Sequence, residues 1–471
     1  MTPTRTFALL LVVLALACGA LAVLRDGADA AEPGPAASLD TPLWSPRRVP
    51  QPIVDAVGAQ RLQAALDAQV AGINACFVVD EGGAPLASHG GDTPLIPAST
   101  QKIFTAAAAL VVLGPDARFE TRVLAPEAPQ DGVVDKLYLV GGGDPLLMTP
   151  EAQAAREEIP ELRGTPTTSL AALADALVAS GVKRVPNGIA ADDSRYEALR
   201  YLPGWDEDYR TEGQVGPLGA LTVNGGFEQL RPPEPVDDPA IFAAQKLGEL
   251  LEARGVTIGG APTRETAPPE AVEVGKVQSP PLTELLGEDL SVSNNLASEL
   301  LTREIGLRVA QQGTTAAGTQ AILSKLAELG VPTENITLVD GSGLDKGNRA
   351  TCSALAAALD LGADPRYRAL WDGLAIAGQR GTLVNQIGGD LTGKVRGKTG
   401  TLSNASGLVG IVDVARPLRF AFLANVEMSE RAAIDLRRRI VEIIATFPDA
   451  PPADELVPAP GASGQATGTQ P

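Results

Sequence analysis

The chain has 471 residues, of which 44 % are apolar and 20 % charged, and its 57 acidic against 38 basic residues leave a net charge of −19. That balance excludes a disordered chain and argues against nucleic acid as a partner. One histidine, His89, and three cysteines, Cys18, Cys76 and Cys352, leave no Cys/His cluster for zinc, and a Ser-His-Asp triad would have to use His89. The chemistry must therefore come mainly from Ser, Lys, Thr, Asn and carboxylates. No metal, nucleotide or flavin motif is present, and no cofactor is expected.

Arg5 precedes an unbroken apolar run from Phe7 to Leu24, followed by Ala28-Asp29-Ala30. A positive start, an apolar segment and a small-x-small site describe a secretory signal over residues 1–30. The same run reaches the lower limit for a spanning helix, so an uncleaved membrane anchor is the alternative. Cys18 follows Ala15-Leu16-Ala17, a poor fit to a lipoprotein signal. All these readings put the body outside the cytoplasm, secreted or held at the outer face of the membrane. Residues 31–52 read as a Pro-rich linker and residues 448–471 as a disordered tail. In an oxidising compartment Cys76 and Cys352 could pair. Spacing alone cannot establish that, and the preferred reading is two buried free thiols packed as small hydrophobes.

Within the body, residues 53–71 carry apolar side chains at helical spacing, and a hairpin turning at Gly82-Gly83 follows. Residues 96–114 predict a helix apolar on nearly every face and closed by Gly114-Pro115, which places it at the centre of a domain. Residues 116–275 change texture to short strands and turns with one or two helices. Helical periodicity returns over 294–305 and 318–329, and the chain closes with two strands and a helix over 429–446. The expected fold is α/β of the α+β type, with an antiparallel sheet and helices on both faces. It comprises residues 53–115 and 276–447, interrupted by a large, mostly β insertion of one or two subdomains over 116–275.

Ser99 and Lys102, in Pro97-Ala98-Ser99-Thr100-Gln101-Lys102, sit three residues apart at the start of the buried helix, within contact range on one face. A serine needs a base to become a nucleophile, and a lysine can serve if burial lowers its pKa from about 10.4. The spacing alone is weak: Ser180-Gly181-Val182-Lys183 repeats it at a helix end, where a Gly cap and a solvated lysine explain it. Ser293-Asn294-Asn295 opens a later helix, which could be ordinary capping. Lys398-Thr399-Gly400 lies in a strand-like stretch before Thr401. Chance does not readily produce all three in this order.

The set Ser-x-x-Lys, Ser-x-Asn and Lys-Thr-Gly resembles that of the penicillin-interacting serine enzymes. Asp340–Leu344 (DGSGL), Asn348-Arg349, the stretch AGQRGTL before VRGKTGTL, Gly141–Pro145 and Leu221–Gly226 are similar to one branch, the class C low-molecular-mass penicillin-binding proteins. The resemblance spans residues 53–447 and implies a β-lactamase/transpeptidase-like domain. It also implies a serine-type D-Ala-D-Ala carboxypeptidase or endopeptidase acting on peptidoglycan stem peptides, with β-lactam antibiotics as covalent inhibitors. By the same resemblance Ser99 is the nucleophile and Lys102 its base, Ser293 relays a proton with Lys398, and Asn295 holds the substrate amide or Lys102. Lys398 and Thr399 bind the terminal carboxylate, Gly400 leaves room for substrate along the strand, and the amides of Ser99 and Thr401 form the oxyanion hole. Asn294 departs from the Asp often found in the middle of the second motif. The 191 positions from Lys102 to Ser293 exceed the spacing of a compact β-lactamase and match the branch's insertion. The alternatives are a β-lactamase, which needs a device for fast deacylation, and a catalytically idle wall-binding protein of the same fold.

Overall fold

The computed structural model describes residues 51–414 and 416–449. The signal or anchor segment 1–30, almost all of the linker and the tail from Ala450 lie outside the described residues. Among the described residues no helix is long and apolar enough to cross a membrane.

The part formed by the two ends of the body is built on helices α1 (Gln51–Val70), α2 (Lys102–Leu113), α3 (Leu282–Val292), α4 (Asn295–Ala310), α5 (Thr315–Glu328), α6 (Cys352–Asp360) and α7 (Glu430–Ala445). Its strands are β1 (Asn74–Glu81), β2 (Ala84–His89), β3 (Ala375–Ile376), β4 (Val395–Leu402), β5 (Ala405–Asp413) and β6 (Pro417–Asn425). They form one antiparallel sheet in the order β3-β4-β5-β6-β1-β2, so strands from the two ends of the chain pair directly, Phe77 opposite Phe422.

Both faces of this sheet are apolar, and strand alternation sorts their side chains. Cys76, Val409, Ala421 and Leu423 enter a core with α2, α4, α5 and α6. Phe77, Leu408, Phe420 and Phe422 enter the opposite core with α1 and α7. Every residue of α2 from Lys102 to Leu110 is buried. The small side chains of Ala106–Ala109 let neighbouring helices approach it closely, which suits a helix enclosed by the core on nearly every side. Gly114, at φ 86, ends the helix by accepting a backbone conformation costly to other residues.

The intervening segment leaves through strand Glu120–Ala125 and returns through strand Val272–Gln278, paired antiparallel with Gln278 opposite Glu120. They belong to a five-stranded mixed sheet in the order Thr263–Arg264, Ile189–Asp192, Leu137–Val140, Glu120–Ala125, Val272–Gln278, so the returning strand is one edge. Helices Leu170–Ala179 and Pro239–Glu252 cover it, with Leu173, Leu177, Leu247 and Leu251 in its core. Beside the single helical turn Asp208–Thr211, a further helix, Pro150–Glu157, exceeds the one or two expected. It is short and polar, and begins at a Thr149 cap followed by Pro150, so hydrophobic periodicity does not reveal it.

Cys76 and Cys352 are joined in a disulfide, with Cα atoms 6.0 Å apart. This corrects the preferred reading of free thiols. Burial of each cysteine was legible from its neighbours, but proximity across 276 residues follows only from packing α6 against β1.

Candidate active site

Ser99 lies in a 3-10 turn, Ala98–Gln101, that runs directly into α2. Ala98 takes φ 47, a costly conformation for a residue with a Cβ, so the turn must be held from outside. Three glycines allow that hold. A Cβ at Gly343 would lie 2.0 Å from the Ala98 carbonyl oxygen, so the Asp340–Gly343 turn closes against it. Gly400 and Gly407 are register partners on β4 and β5. A Cβ at Gly400 would lie 2.7 Å from Pro97 O, and one at Gly407 would lie 3.0 Å from Thr100 Cγ2. The paired glycines leave a flat place on the sheet where the Ser99 turn sits. The room expected at Gly400 for substrate is thus taken by the turn that carries Ser99.

Lys102 is fully buried and uses all three of its donor protons. They go to Ser99 Oγ at 3.1 Å, Asn295 Oδ1 at 2.6 Å and the Ser342 carbonyl at 2.6 Å. Burial lowers its pKa to about 8, against the opposing pull of Asp289, Asp340 and Glu299. Asn295 in turn donates through Nδ2 to Gln214 O at 2.7 Å, so a residue of the intervening segment orients its amide. Burial also raises two carboxyls here, Asp289 to about 7 and Glu299 to about 8.

Ser293 ends α3 in a left-handed conformation, φ 66 and ψ 47, and Asn294 then caps α4 by accepting from Ala297 N at 3.0 Å. This elbow turns the Ser293 hydroxyl toward Lys398, whose ammonium donates to it at 2.8 Å and to the Thr399 carbonyl at 2.8 Å. Burial, and then the neighbouring Lys102 cation, hold Lys398 well below the ordinary lysine value. Asn294 also donates to both oxygens of the buried Glu288, at 3.1 and 3.0 Å, and Arg156 pairs with Glu288 at 2.9 Å. An aspartate at 294 would face that carboxylate with no proton to give, which accounts for the amide here.

The Thr399 hydroxyl donates to Thr382 Oγ1 at 3.0 Å, and Thr401 is exposed at the strand's end. Behind them the buried Arg437 of α7 donates to Gly400 O at 3.0 Å, Thr401 Oγ1 at 2.8 Å and Ser406 Oγ at 3.1 Å. Burial lowers Arg437 to about 10. The second Ser-x-x-Lys copy is unlike the first: Ser180 and Lys183 are exposed, and the Ser180 hydroxyl is turned back to Leu177 O at 2.8 Å.

The structure thus brings Ser99, Lys102, Ser293, Asn295, Lys398, Thr399, Gly400 and Thr401 to one place. Sequence reasoning missed Ser342, Gln214, Thr382 and Arg437. Ser342 lies in the DGSGL stretch, and its main-chain carbonyl, not its hydroxyl, is what meets Lys102. A carbonyl carries no sequence signature, whereas Thr382 could have been found from its stretch AGQRGTL. Among the described residues no group of His, Cys, Asp and Glu could hold a metal ion.

The profile of the D-Ala-D-Ala carboxypeptidase 3 (S13) family matches residues 56–235 and 233–447. Carboxypeptidase DacB of Mycolicibacterium smegmatis is 32 % identical over 454 residues, covering 91 % of this chain and 93 % of the relative. A D-alanyl-D-alanine carboxypeptidase of Actinomadura sp. is 31 % identical over 429 residues, covering 74 % of this chain and 76 % of that protein. Penicillin binding protein 4 of Haemophilus influenzae shares the fold, with a TM-score of 0.69 at 22 % identity, covering 81 % of this chain and 99 % of that one. The chain belongs to the D-Ala-D-Ala carboxypeptidase 3 (S13) family, the low-molecular-mass class C penicillin-binding proteins.

Proposed function

We propose that this serine-type D-Ala-D-Ala carboxypeptidase of peptidoglycan works through an acyl-enzyme on Ser99, with Lys102 as the base. The observation that carries this reading is the buried Lys102 ammonium group, 3.1 Å from Ser99 Oγ and lowered to about 8. Ser99 Oγ attacks the carbonyl carbon of the penultimate D-Ala as its proton passes to Lys102. The bond to the terminal D-Ala nitrogen then breaks, and that nitrogen leaves as the amine after taking a proton through Ser293, which is bonded to Lys398 at 2.8 Å. Water hydrolyses the ester and restores Ser99. The amides of Ser99 and Thr401 stabilise the oxyanion, a contribution of about 3–4 kcal/mol where measured elsewhere.

Lys398 and Thr399 bind the terminal carboxylate, and its charge would offset both influences that hold the Lys398 pKa down. Thr382, on the Thr399 hydroxyl, belongs to the same pocket. A β-lactam presents a strained amide to Ser99 and leaves a long-lived ester. The segment 1–30 delivers the body to the cell wall side of the membrane, by cleavage or as an anchor.

Fluorescent penicillin tests the assignment. It should label the wild type and Ser180→Ala alike and leave Ser99→Ala unlabelled, with the adduct mapping between Ala98 and Lys102. Labelling that survives Ser99→Ala would overturn the mechanism. A synthetic D-Ala-D-Ala peptide run beside a cross-linked muropeptide measures how the activity divides between trimming and cutting cross-links.

A further inference from the structure

Lys102 makes two contacts of 2.6 Å away from the nucleophile, to Asn295 Oδ1 and to the Ser342 carbonyl. Asn295 is fixed by its place on α4 and by Gln214. Ser342 lies in an irregular turn, so other groups must aim its carbonyl. Glu299 stands one turn along α4 from Asn295 and is fully buried. Its Oε1 accepts from two successive backbone amides of that turn, Gly341 N at 3.0 Å and Ser342 N at 2.7 Å. Thr105 of α2 donates to the Gly341 carbonyl at 2.8 Å, and Asp340 accepts from Gly343 N at 2.8 Å. We propose that Glu299 is a positioning residue for acylation: by gathering the Gly341 and Ser342 amides on one oxygen, it aims the Ser342 carbonyl that holds Lys102 against Ser99. This rests on the reading of Lys102 as the base.

Two features single out Glu299 within the turn. Its other oxygen, Oε2, is buried without a hydrogen-bond partner, an arrangement that costs more for a charged carboxylate than for a neutral acid. Burial, and then the Asp340 charge, push the Glu299 pKa up to about 8, in keeping with a neutral acid that acts through its acceptor oxygen. Asp340 also takes Trp205, Asn348 and the Asp345 amide, so replacing it would undo the whole turn. The two hydrogen bonds that Glu299 accepts from the turn can be removed with less collateral change.

The test compares Glu299→Gln, which keeps an acceptor oxygen, with Glu299→Met, which fills the space without one. The probe is fluorescent penicillin, read both as the rate of labelling and as the final label per chain. The Met variant should label at least about tenfold more slowly yet reach the wild-type stoichiometry, since small displacements of a catalytic group cost rate without destroying the site. The Gln variant should stay within about threefold of the wild type, because it keeps the same acceptor. Reduced final labelling at an unchanged rate would mean a purely structural role and would overturn the proposal. So would a Met variant at the wild-type rate, or a Gln variant as slow as Met. If Met does not fold, Glu299→Asp takes its place, because the shorter side chain withdraws the acceptor and should be slow where Gln is not. Lys102→Ala separates the two readings. Labelling that persists there removes the base assignment itself, whereas an unlabelled Lys102→Ala beside a wild-type-like Met variant refutes the Glu299 role alone.

Discussion

Acylation should follow the fraction of Lys102 that carries no proton, and Asp289→Asn should move that fraction in a calculable direction. With Lys102 lowered to about 8, the rate is expected to reach about half of its plateau near pH 8 and to fall as the lysine takes up its proton below that. Asp289 favours the protonated lysine, yet it makes no ion pair with it and accepts a hydrogen bond from Ser298 Oγ at 2.8 Å. Asparagine keeps an acceptor for Ser298 and removes the charge. Separated charges of this kind interact by about 1–2 kcal/mol at an effective dielectric of about 20, or roughly one pKa unit. The acid limb should therefore move down from about 8; because Asp289 is itself raised to about 7 and is largely uncharged at pH 6, the variant's gain should be confined to about pH 7–8, at up to about threefold. Above about pH 9, where both lysines are largely deprotonated, the two rates should converge. The assay is the pseudo-first-order rate of fluorescent penicillin labelling between pH 5.5 and 9.5, chosen by the same titration range. A limb that stays in place or moves upward would refute the reasoning, because it would mean that the limb does not report Lys102.

Gly400→Ala should push the Pro97–Thr100 turn off the sheet, lowering the labelling rate by at least about tenfold while the circular dichroism spectrum stays that of the wild type. Asn294→Asp should destabilise by about 1–3 kcal/mol at pH 8, since a carboxylate would replace the donor to Glu288. Its folded pKa would be raised, so the deficit should be absent below about pH 4 and grow as pH rises through the folded value; urea melts at pH 5 and 8 that show an equal gap would count against this. Cys76→Ala with Cys352→Ala should cost about 2–4 kcal/mol of stability, measured as a lower thermal midpoint that reducing agent no longer changes.

Local rules determine much of this protein. Ser99 and Lys102 share a helix face because the helical repeat brings residues three apart together, and Gly114 closes that helix because it tolerates a positive φ. The order of the three motifs was enough to identify the family, and the near-continuous apolar runs of β5 and β6 fit a sheet buried on both faces. Ser180 and Lys183 mark the limit of such rules. They have the same spacing as Ser99 and Lys102 and are exposed, with nothing converging on them. Tertiary packing made the difference. It set the paired glycines Gly400 and Gly407 beneath the Ser99 turn, bent α3 into α4 so that Ser293 meets Lys398, and joined Cys76 to Cys352 across 276 residues. It also supplied the partners that bear no sequence signature, the carbonyls of Ser342 and Gln214. Every residue type owns a carbonyl, so only the path of the backbone decides which one a buried lysine or amide will find.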